Sequence, residues 1–300
     1  MIYRKGQRVL IQGITGKQGS FWTEKMAASG TAIVGGVNPK RPGETHLGVK
    51  VFASARAAMR ASPYDIAVMF IPPAMAKAAA IDAINAGVSM LVILTEHIPA
   101  HDVLVIREAA AAGGTRIIGP NTAGIVTPAE GFVGVMPGHN ANIFQPGRIG
   151  VISRSGSLGT LICLNLTRAG LGQSAFIGIG GDPMIGTTAR DALQALDADK
   201  GTDAVVIVGE IGGTMEERTA EYAAEMEKPV VAFIAGRVSP PGRKMGHAGA
   251  IVTGSTGGYV GKRRALEAAG VTVADTPSEI PGLVISRLGR ESRTSAYDLS

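Results

Sequence analysis

His247 lies in a loop of glycines, prolines and cations, 236–251, that follows a predicted buried strand. Its close neighbours are small, which leaves both faces of the imidazole accessible: Gly246, Ala248 and Gly249. Arg243 and Lys244 could hold an anion beside the ring. An imidazole among cations can carry a phosphoryl group, because the cations stabilise its charge. Taken alone, the loop also fits an inert surface histidine.

A glycine turn near the N-terminus is a candidate phosphate site. The first predicted strand runs into residues 12–19, Gln-Gly-Ile-Thr-Gly-Lys-Gln-Gly, and the N-terminus of the following helix offers unpaired N–H groups. The spacing differs from the GxGxxG fingerprint, so a purely structural turn fits as well. Lys40 and Arg41 follow the second strand, where NAD-binding proteins carry an acidic residue. These cations favour a phosphorylated nucleotide such as CoA, which carries an additional phosphate. Alternatively, they are solvated loop charges.

Polar residues also follow other predicted strands. Thr95 and Glu96 could hydrogen-bond a ligand or cap a helix. Residues 153–156, Ser-Arg-Ser-Gly, form a second anion cradle, with helix capping by serine as the alternative. Glu210 ends an apolar strand and could orient an imidazole through its second ring nitrogen, or form a buried ion pair. Asp182, in a glycine-rich loop, is expected to position that loop.

Composition is typical of an α/β enzyme subunit. The 300 residues are 45% hydrophobic, enough for two domains. The 42 glycines cluster at the ends of apolar runs, and 4% aromatic residues disfavour a base-stacking nucleic-acid surface. The net charge of +5 is modest and dispersed. Cys163 is the single cysteine, which excludes an internal disulfide and predicts a reducing compartment, the cytoplasm. We expect no membrane span and no signal or transit peptide.

Apolar runs alternate with helical patterns, which predicts an α/β fold of two doubly wound units with parallel sheets. In the first unit we expect strands at 8–12, 32–37, 66–70, 90–94 and 116–118, and helices at 17–29, 54–61, 74–86 and 101–112. In the second we expect strands at 148–152, 174–178, 204–208, 230–234 and 271–273, and helices at 157–169, 188–195, 215–226 and 259–269. A linker rich in turn residues is predicted between the units.

The motifs, in their order along the chain, resemble the α subunit of succinate–CoA ligases, a family that includes malate–CoA ligase-like members. They are Gly-Ile-Thr-Gly-Lys-Gln-Gly at 13–19, Gly-Gly-Val-Asn-Pro at 35–39, Thr-His-Leu-Gly-Val-Lys-Val-Phe at 45–52, Leu-Thr-Glu at 94–96, Ile-Gly-Pro-Asn at 118–121, Ser-Arg-Ser-Gly at 153–156, Gly-Ile-Gly-Gly-Asp-Pro at 178–183, Gly-Glu-Ile-Gly-Gly at 209–213 and the loop around His247. The resemblance implies a Rossmann-like CoA-binding domain at 1–122, a linker at 123–147 and a flavodoxin-like ligase domain at 148–300.

The resemblance also implies residue roles. CoA is expected on the glycine turn, the cation loop and the end of the fourth strand: Thr15, Gly16, Lys17, Gln18, Lys40, Arg41, Leu94, Thr95 and Glu96. His247 is expected to carry the phosphoryl group with support from Glu210, while the acid or phosphate meets Ser153, Ser155, Gly156 and Thr160. A β subunit with an ATP-grasp domain is implied as partner. It would bind ATP or GTP with Mg²⁺, and for succinate the reaction belongs to the tricarboxylic acid cycle.

Departures from the family pattern concern the acid. The family generally has lysine where Arg41 stands and cysteine where Thr122 stands. After Ser-Arg-Ser-Gly it has a tyrosine and a glutamate at the positions of Thr160 and Leu161. The expected substrate is therefore succinate or another acid, such as malate, itaconate or a sulfonated carboxylate. A Rossmann dehydrogenase and a non-catalytic CoA-binding module are the alternatives.

Overall fold

The computed structural model describes residues 1–239, 246–252 and 257–289, which form two seven-stranded sheets covered by helices. The first sheet contains β1 (Arg8–Gln12), β2 (Ala32–Val37), β3 (Thr45–His46), β4 (Val49–Phe52), β5 (Ile66–Met69), β6 (Met90–Ile93) and β7 (Arg116–Ile118). Its helices are α1 (Lys17–Ala28), α2 (Ala55–Ala61), α3 (Pro73–Asn85) and α4 (Ala100–Gly113).

The strand order of this sheet is β3-β4-β2-β1-β5-β6-β7, and every pair except β3 with β4 is parallel. Strands β5 and β6 are buried along their whole length because helices cover both faces of the sheet, which explains their uninterrupted apolar sequences. The chain passes from β1 to β2 on one side of β1, and after β4 it crosses to β5 on the other side. Ligands of open α/β sheets bind at the carboxyl ends of strands at such a switch point.

The second sheet contains β8 (Gly124–Thr127), β9 (Gly131–Gly134), β10 (Pro146–Ser153), β11 (Gln173–Gly178), β12 (Ala204–Glu210), β13 (Val230–Ala235) and β14 (Thr272–Ala274). Its helices are α5 (Gly156–Arg168), α6 (Ala189–Asp197), α7 (Met215–Ala223), α8 (Tyr259–Ala268) and α9 (Ile280–Arg287). The order is β14-β13-β12-β10-β11-β8-β9. Its parallel part, β11-β10-β12-β13-β14, has the flavodoxin order, with the switch point between β10 and β12.

The segment expected to be an irregular linker, 123–147, contains two strands of the second sheet. Strands β8 and β9 form an antiparallel hairpin, and β8 pairs with β11. The hairpin needs glycine where Gly124 of β8 pairs with Gly134 of β9, since a Cβ on Gly124 would lie 2.1 Å from the carbonyl oxygen of Val133. Glycines at the ends of these strands read as turn signals in the sequence, so the two strands were not predicted. The division into units at 1–122 and 148–300 stays a prediction.

The two halves share a continuous apolar core. One buried cluster runs from Tyr3 and Val9 of the first half to Phe176 and Val206 of the second. The β8–β9 hairpin lies at the junction, where the Thr31 hydroxyl donates to the Phe132 carbonyl oxygen at 2.8 Å. Among the described residues, none of the helices is both long and apolar enough to cross a membrane.

Candidate active site

A cleft of about 630 Å³ lies between the carboxyl ends of the two sheets. The N-terminus of α1 lines it together with the ends of β5 and β6, represented by Phe70 and Thr95. From the second half come Arg154, Gly156 and His247. The cleft therefore joins the switch points of both sheets, and it brings the glycine turn and the imidazole, which lie more than half the chain apart in sequence, to one site.

His247 is oriented by a buried carboxylate. Its Nδ1 lies 2.7 Å from Oε2 of Glu210, and the other carboxylate oxygen, Oε1, lies 3.2 Å from Nη2 of Arg154. The side chains of Glu210 and Arg154 are only 8% and 5% exposed, whereas that of His247 is 27% exposed. The Glu210 carboxylate accepts a hydrogen bond from Nδ1–H of His247. The other ring nitrogen, Nε2, is therefore available as a nucleophile.

The pKa of His247 is raised because Nδ1 hydrogen-bonds to the Glu210 carboxylate. Partial burial of the ring opposes this effect, the negative charge of Glu210 adds to it, and the positive charge of Arg154 lowers the pKa again. The contact between Arg154 and Glu210 is an ion pair without hydrogen-bond geometry. Within the described ranges, Oε1 of Glu210 and Nε of Arg154 are buried without a hydrogen-bond partner. Both groups therefore retain capacity for a polar ligand.

Adjacent parallel strands bring these groups together. Glu210 ends β12, and Arg154 follows Ser153, which pairs with Val208 across β10 and β12. Parallel strands have their carboxyl ends at the same edge of the sheet. The loops that follow neighbouring strands, which are distant in sequence, therefore meet there.

Two glycines make room for the site. A Cβ on Gly181 would lie 2.6 Å from the His247 ring, and one on Gly249 would lie 2.6 Å from Nη2 of Arg154. The expectation that both faces of the imidazole are accessible is wrong for the side that meets Gly181. The cations Arg243 and Lys244, expected beside the ring, lie outside the described residues.

The first glycine turn has the geometry of an anion cradle. Gly13 has φ +83°, and a Cβ there would lie 2.3 Å from the Phe70 carbonyl oxygen. A Cβ on Gly19 would lie 2.2 Å from the Gly13 carbonyl oxygen. The N-cap of α1 is Gly16, which has no side chain to bond the first N–H groups of the helix. Gly16, Lys17 and Gln18 are exposed in the cleft. The first N–H groups of α1 are thus available to a phosphate.

A short chain of hydrogen bonds connects this turn with the cation loop. Nδ2 of Asn38 donates to Oγ1 of Thr15 at 2.6 Å, and Oδ1 of Asn38 accepts from the Lys40 backbone N–H at 2.9 Å. Arg41 is exposed, and its Nη2 lies 2.6 Å from Oε2 of Glu44. Lys40 and Arg41 are not among the residues that line the cleft. The structure brings the cation loop near the turn without placing its charges on the cleft wall.

The end of β6 reaches the cleft through Leu94, Thr95 and Glu96. The Thr95 hydroxyl donates to the Ile71 carbonyl oxygen at 2.7 Å, and the Thr95 carbonyl oxygen accepts from the Asn121 N–H at 3.0 Å. Thr95 is therefore a fixed part of the wall, and Glu96 is exposed. Asp182, as expected, positions its loop, accepting from Nδ2 of Asn121 at 2.9 Å.

The hydroxyls of the second cradle serve the local backbone. Oγ of Ser155 accepts from the Leu158 N–H at 3.3 Å and so caps α5. Ser153 donates to the Ser155 carbonyl oxygen at 2.6 Å, and Thr160 donates to the Gly156 carbonyl oxygen at 2.8 Å. Of these residues Gly156 lines the cleft. Ser155 thus acts as a helix cap, as the alternative interpretation proposed. A ligand in the cleft can contact the backbone of this segment at Gly156.

Sequence reasoning missed Arg154 as a functional residue. It lies in the motif Ser-Arg-Ser-Gly, whose hydroxyls and glycine were the predicted ligand contacts. The available signal was a charged residue directly after an apolar strand, where a long polar side chain is buried only if a partner is present.

Comparison with known proteins agrees with this arrangement. Residues 4–97 match the family model described as CoA binding domain, and residues 152–272 match that described as CoA-ligase. The α subunit of an ADP-forming succinate–CoA ligase from Methanothermobacter thermautotrophicus is 50% identical over 94% of this chain and 95% of its own length. The chain belongs to the succinate–CoA ligase α-subunit family. The resemblance found in the motifs is thereby confirmed, and with it the class of enzyme, an acid–CoA ligase.

Relatives within this α-subunit family differ in the acid they are named for. A subunit of an ADP-forming sulfoacetate–CoA ligase from Bilophila wadsworthia is 42% identical over 95% of this chain and 98% of its own length. The fold recurs in an ATP citrate lyase from Methanosaeta concilii, with a TM-score of 0.85 at 21% identity. That alignment covers 96% of this chain and 50% of the lyase chain, so the α subunit spans about half the length of that protein.

Proposed function

We propose that this α subunit, together with a β subunit carrying an ATP-grasp domain, joins a carboxylic acid to CoA at the expense of ATP or GTP, with His247 as phosphoryl carrier. The observation that supports this most strongly is the 2.7 Å contact between Nδ1 of His247 and Glu210 in the same cleft as the Gly16–Gln18 turn. One cleft then holds a phosphoryl acceptor and an anion cradle for CoA.

The reaction has three steps. Nε2 of His247 attacks the terminal phosphorus of the nucleotide; an N–P bond forms, and the P–O bond electrons leave with the diphosphate. A carboxylate oxygen of the acid then attacks that phosphorus, and the N–P electrons return to Nε2. Finally the CoA thiolate attacks the acyl carbon, and inorganic phosphate leaves with the C–O electrons. Glu210 stabilises the positive charge that the imidazole carries as N–P bonds form and break.

The nucleotide and Mg²⁺ are assigned to the partner. Within the described ranges no cluster of three or more His, Cys, Asp or Glu side chains is placed to hold a metal ion. The N–H groups at Gly16–Gln18 fit the phosphates of CoA, and the Lys40–Arg41 loop, joined to Thr15 through Asn38, is the proposed contact of the additional CoA phosphate. The buried free thiol of Cys163 fits the cytoplasm as location.

The acid is proposed to be succinate or a different carboxylate selected near Gly156–Leu161. Relatives named for succinate and for sulfoacetate both lie above 40% identity to this chain, which makes both acids candidates. Thr160 is a small residue that points its hydroxyl at the Gly156 carbonyl oxygen, so it offers no ring and no free hydroxyl to an acid.

Specificity is tested on the reconstituted pair by comparing kcat/KM for succinate, malate, itaconate and sulfoacetate, before and after Thr160→Tyr. We expect the substitution to change the ratio between acids by roughly tenfold or more, the value of one buried hydrogen bond. An unchanged ranking would show that this segment does not select the acid.

Phosphoryl transfer is tested by incubating the pair with Mg²⁺ and nucleotide labelled at the terminal phosphate. Label is expected on this chain, stable in alkali and lost in acid, as a phosphoramidate is. His247→Asn should abolish it. The matched control is His101→Asn, because the His101 side chain is 83% exposed and lies outside the cleft. Acid-stable label, or label that survives in His247→Asn, would refute the proposed carrier.

A further inference from the structure

We propose that a second cleft, which shares Arg154 with the cleft between the two sheets (the CoA cleft), binds a phosphate group and influences His247 through that arginine. This anion cleft has a volume of about 380 Å³. Its polar wall includes Arg107, Arg154, Arg218, Thr188 and the turn Gly212–Thr214 before α7. His247 is not part of it. The inference concerns the chain itself and holds whether or not His247 is phosphorylated.

The charges of the anion cleft are of one sign. Three arginines line it, and no acidic residue is among its lining residues. Arg107 and Arg218 are exposed and form no ion pair with any part of the chain that the structure describes. A guanidinium group can donate two parallel hydrogen bonds to two oxygens of a phosphate. Arginine therefore favours phosphate over a monatomic anion. Unpaired arginines converging on one cleft therefore favour an oxyanion as occupant.

The N-terminus of α7 adds backbone donors. Thr214 caps this nine-residue helix without a side-chain hydrogen bond, and Gly213 has φ +58°. Buried Lys262 neutralises one of the two carboxylates of the first turn and lies between them: it contacts Glu216, and its Nζ lies 3.1 Å from Oε2 of Glu217. The start of α7 therefore offers backbone N–H groups to the cleft as hydrogen-bond donors, while the positive charge of the cleft comes from its three arginines.

Arg154 is the independent sign of a ligand. Its side chain is 5% exposed and lines the anion cleft, and its buried Nε has no hydrogen-bond partner among the described residues. A buried guanidinium with unused donors is costly unless a ligand satisfies it. Arg154 also lines the CoA cleft and lies 3.2 Å from Glu210, which in turn holds His247.

This placement couples the two clefts. The charge of Arg154 lowers the pKa of His247. An anion beside Arg154 offsets that charge and draws the guanidinium away from Glu210, which leaves the carboxylate more negative for the imidazole. A phosphate in the anion cleft is therefore expected to raise the pKa of His247 and tighten its contact with Glu210.

Binding is tested on the full 300-residue chain by calorimetric titration with inorganic phosphate, in parallel with ADP to distinguish free phosphate from a phosphorylated small molecule. Phosphate, ADP or both are expected to bind the unsubstituted chain. The double substitution Arg107→Ala/Arg218→Ala should lower the affinity for the bound ligand at least tenfold. Arg56→Ala/Arg60→Ala is the matched control, since both are exposed arginines of a helix that lines neither cleft. Equal affinity in the double variant and the unsubstituted chain for both ligands would overturn the site.

Coupling is tested by following the His247 imidazole by NMR through a pH titration with and without phosphate, with His247→Asn identifying the resonance. Phosphate should raise the midpoint in the unsubstituted chain and in the control, and should leave it unchanged in Arg107→Ala/Arg218→Ala. A rise that persists in that double variant would mean that phosphate acts directly at His247, and it would overturn the proposed route through Arg154.

Discussion

At the scale of single residues, the site depends on the contact between Glu210 and His247. The pKa of His247 is raised mainly by this hydrogen bond, so Glu210→Gln should lower it, and the uncompensated charge of Arg154 should lower it further. NMR titration measures the change, and His101, 83% exposed, serves as internal control in the same spectra. A His247 midpoint that does not fall would contradict the assigned contact.

The same contact predicts a pH dependence of stability. A histidine whose pKa is higher in the folded chain stabilises it fully below the pKa of the unfolded state. That contribution is lost as pH rises through the folded-state pKa of His247. The free energy of unfolding of the unsubstituted chain, minus that of His247→Asn, should therefore decrease from acid to alkaline pH across this window. A difference that is constant with pH would contradict the raised pKa.

The absence of a side chain at Gly181 leaves room for the imidazole of His247. A Cβ there would lie 2.6 Å from the ring, so Gly181→Ala must displace His247 from its place beside Glu210. Misplacing a reacting group by about 1 Å costs on the order of 100-fold in rate, and we expect His247 labelling to slow by that order. Gly282→Ala, with open space around it, is the control and should label at the unsubstituted rate. Normal labelling of Gly181→Ala would show that the ring can shift without loss.

At the scale of elements, α7 and α8 form the support behind Glu210. Oε1 of Glu216 accepts from the Glu210 N–H at 3.2 Å, and fully buried Lys262 holds Glu216. Lys262→Met leaves the buried carboxylate of Glu216 without a counter-charge, which should cost about 3–5 kcal/mol of unfolding free energy. Denaturant titration measures this, and exposed Arg264→Met on the same helix should change it by less than about 0.5 kcal/mol. Similar values for the two variants would refute the supporting role.

At the scale of the whole molecule, the continuous core and the β8–β9 hairpin predict that both halves unfold together. Trp22, the only tryptophan, belongs to the first half but packs against Phe132 of the hairpin with a ring distance of 6.3 Å. Tryptophan fluorescence and far-ultraviolet circular dichroism should therefore report one coincident transition in denaturant. Two separated transitions would show that the junction does not couple the halves.

The sequence by itself determined the parallel strands and most helices to within a few residues. β1, β2 and β7 coincide with their predicted bounds, because each contains an apolar run bounded by glycine or proline turns. The motifs also identified the family, and they indicated His247 and Glu210 as candidate residues. Such signals are local: they depend on residue type and near neighbours.

Only the tertiary structure decided which distant residues meet. The edge hairpins β3–β4 and β8–β9 and the last helix, α9, were not predicted, because short or glycine-rich segments take their conformation from the elements they pair with. Arg154 joined the site because β10 lies beside β12 in the sheet. Its second role, in the anion cleft, depends on Arg107 and Arg218 arriving from two different helices. Burial, charge compensation and free donors are properties of that packed arrangement, so no pattern along the chain contains them.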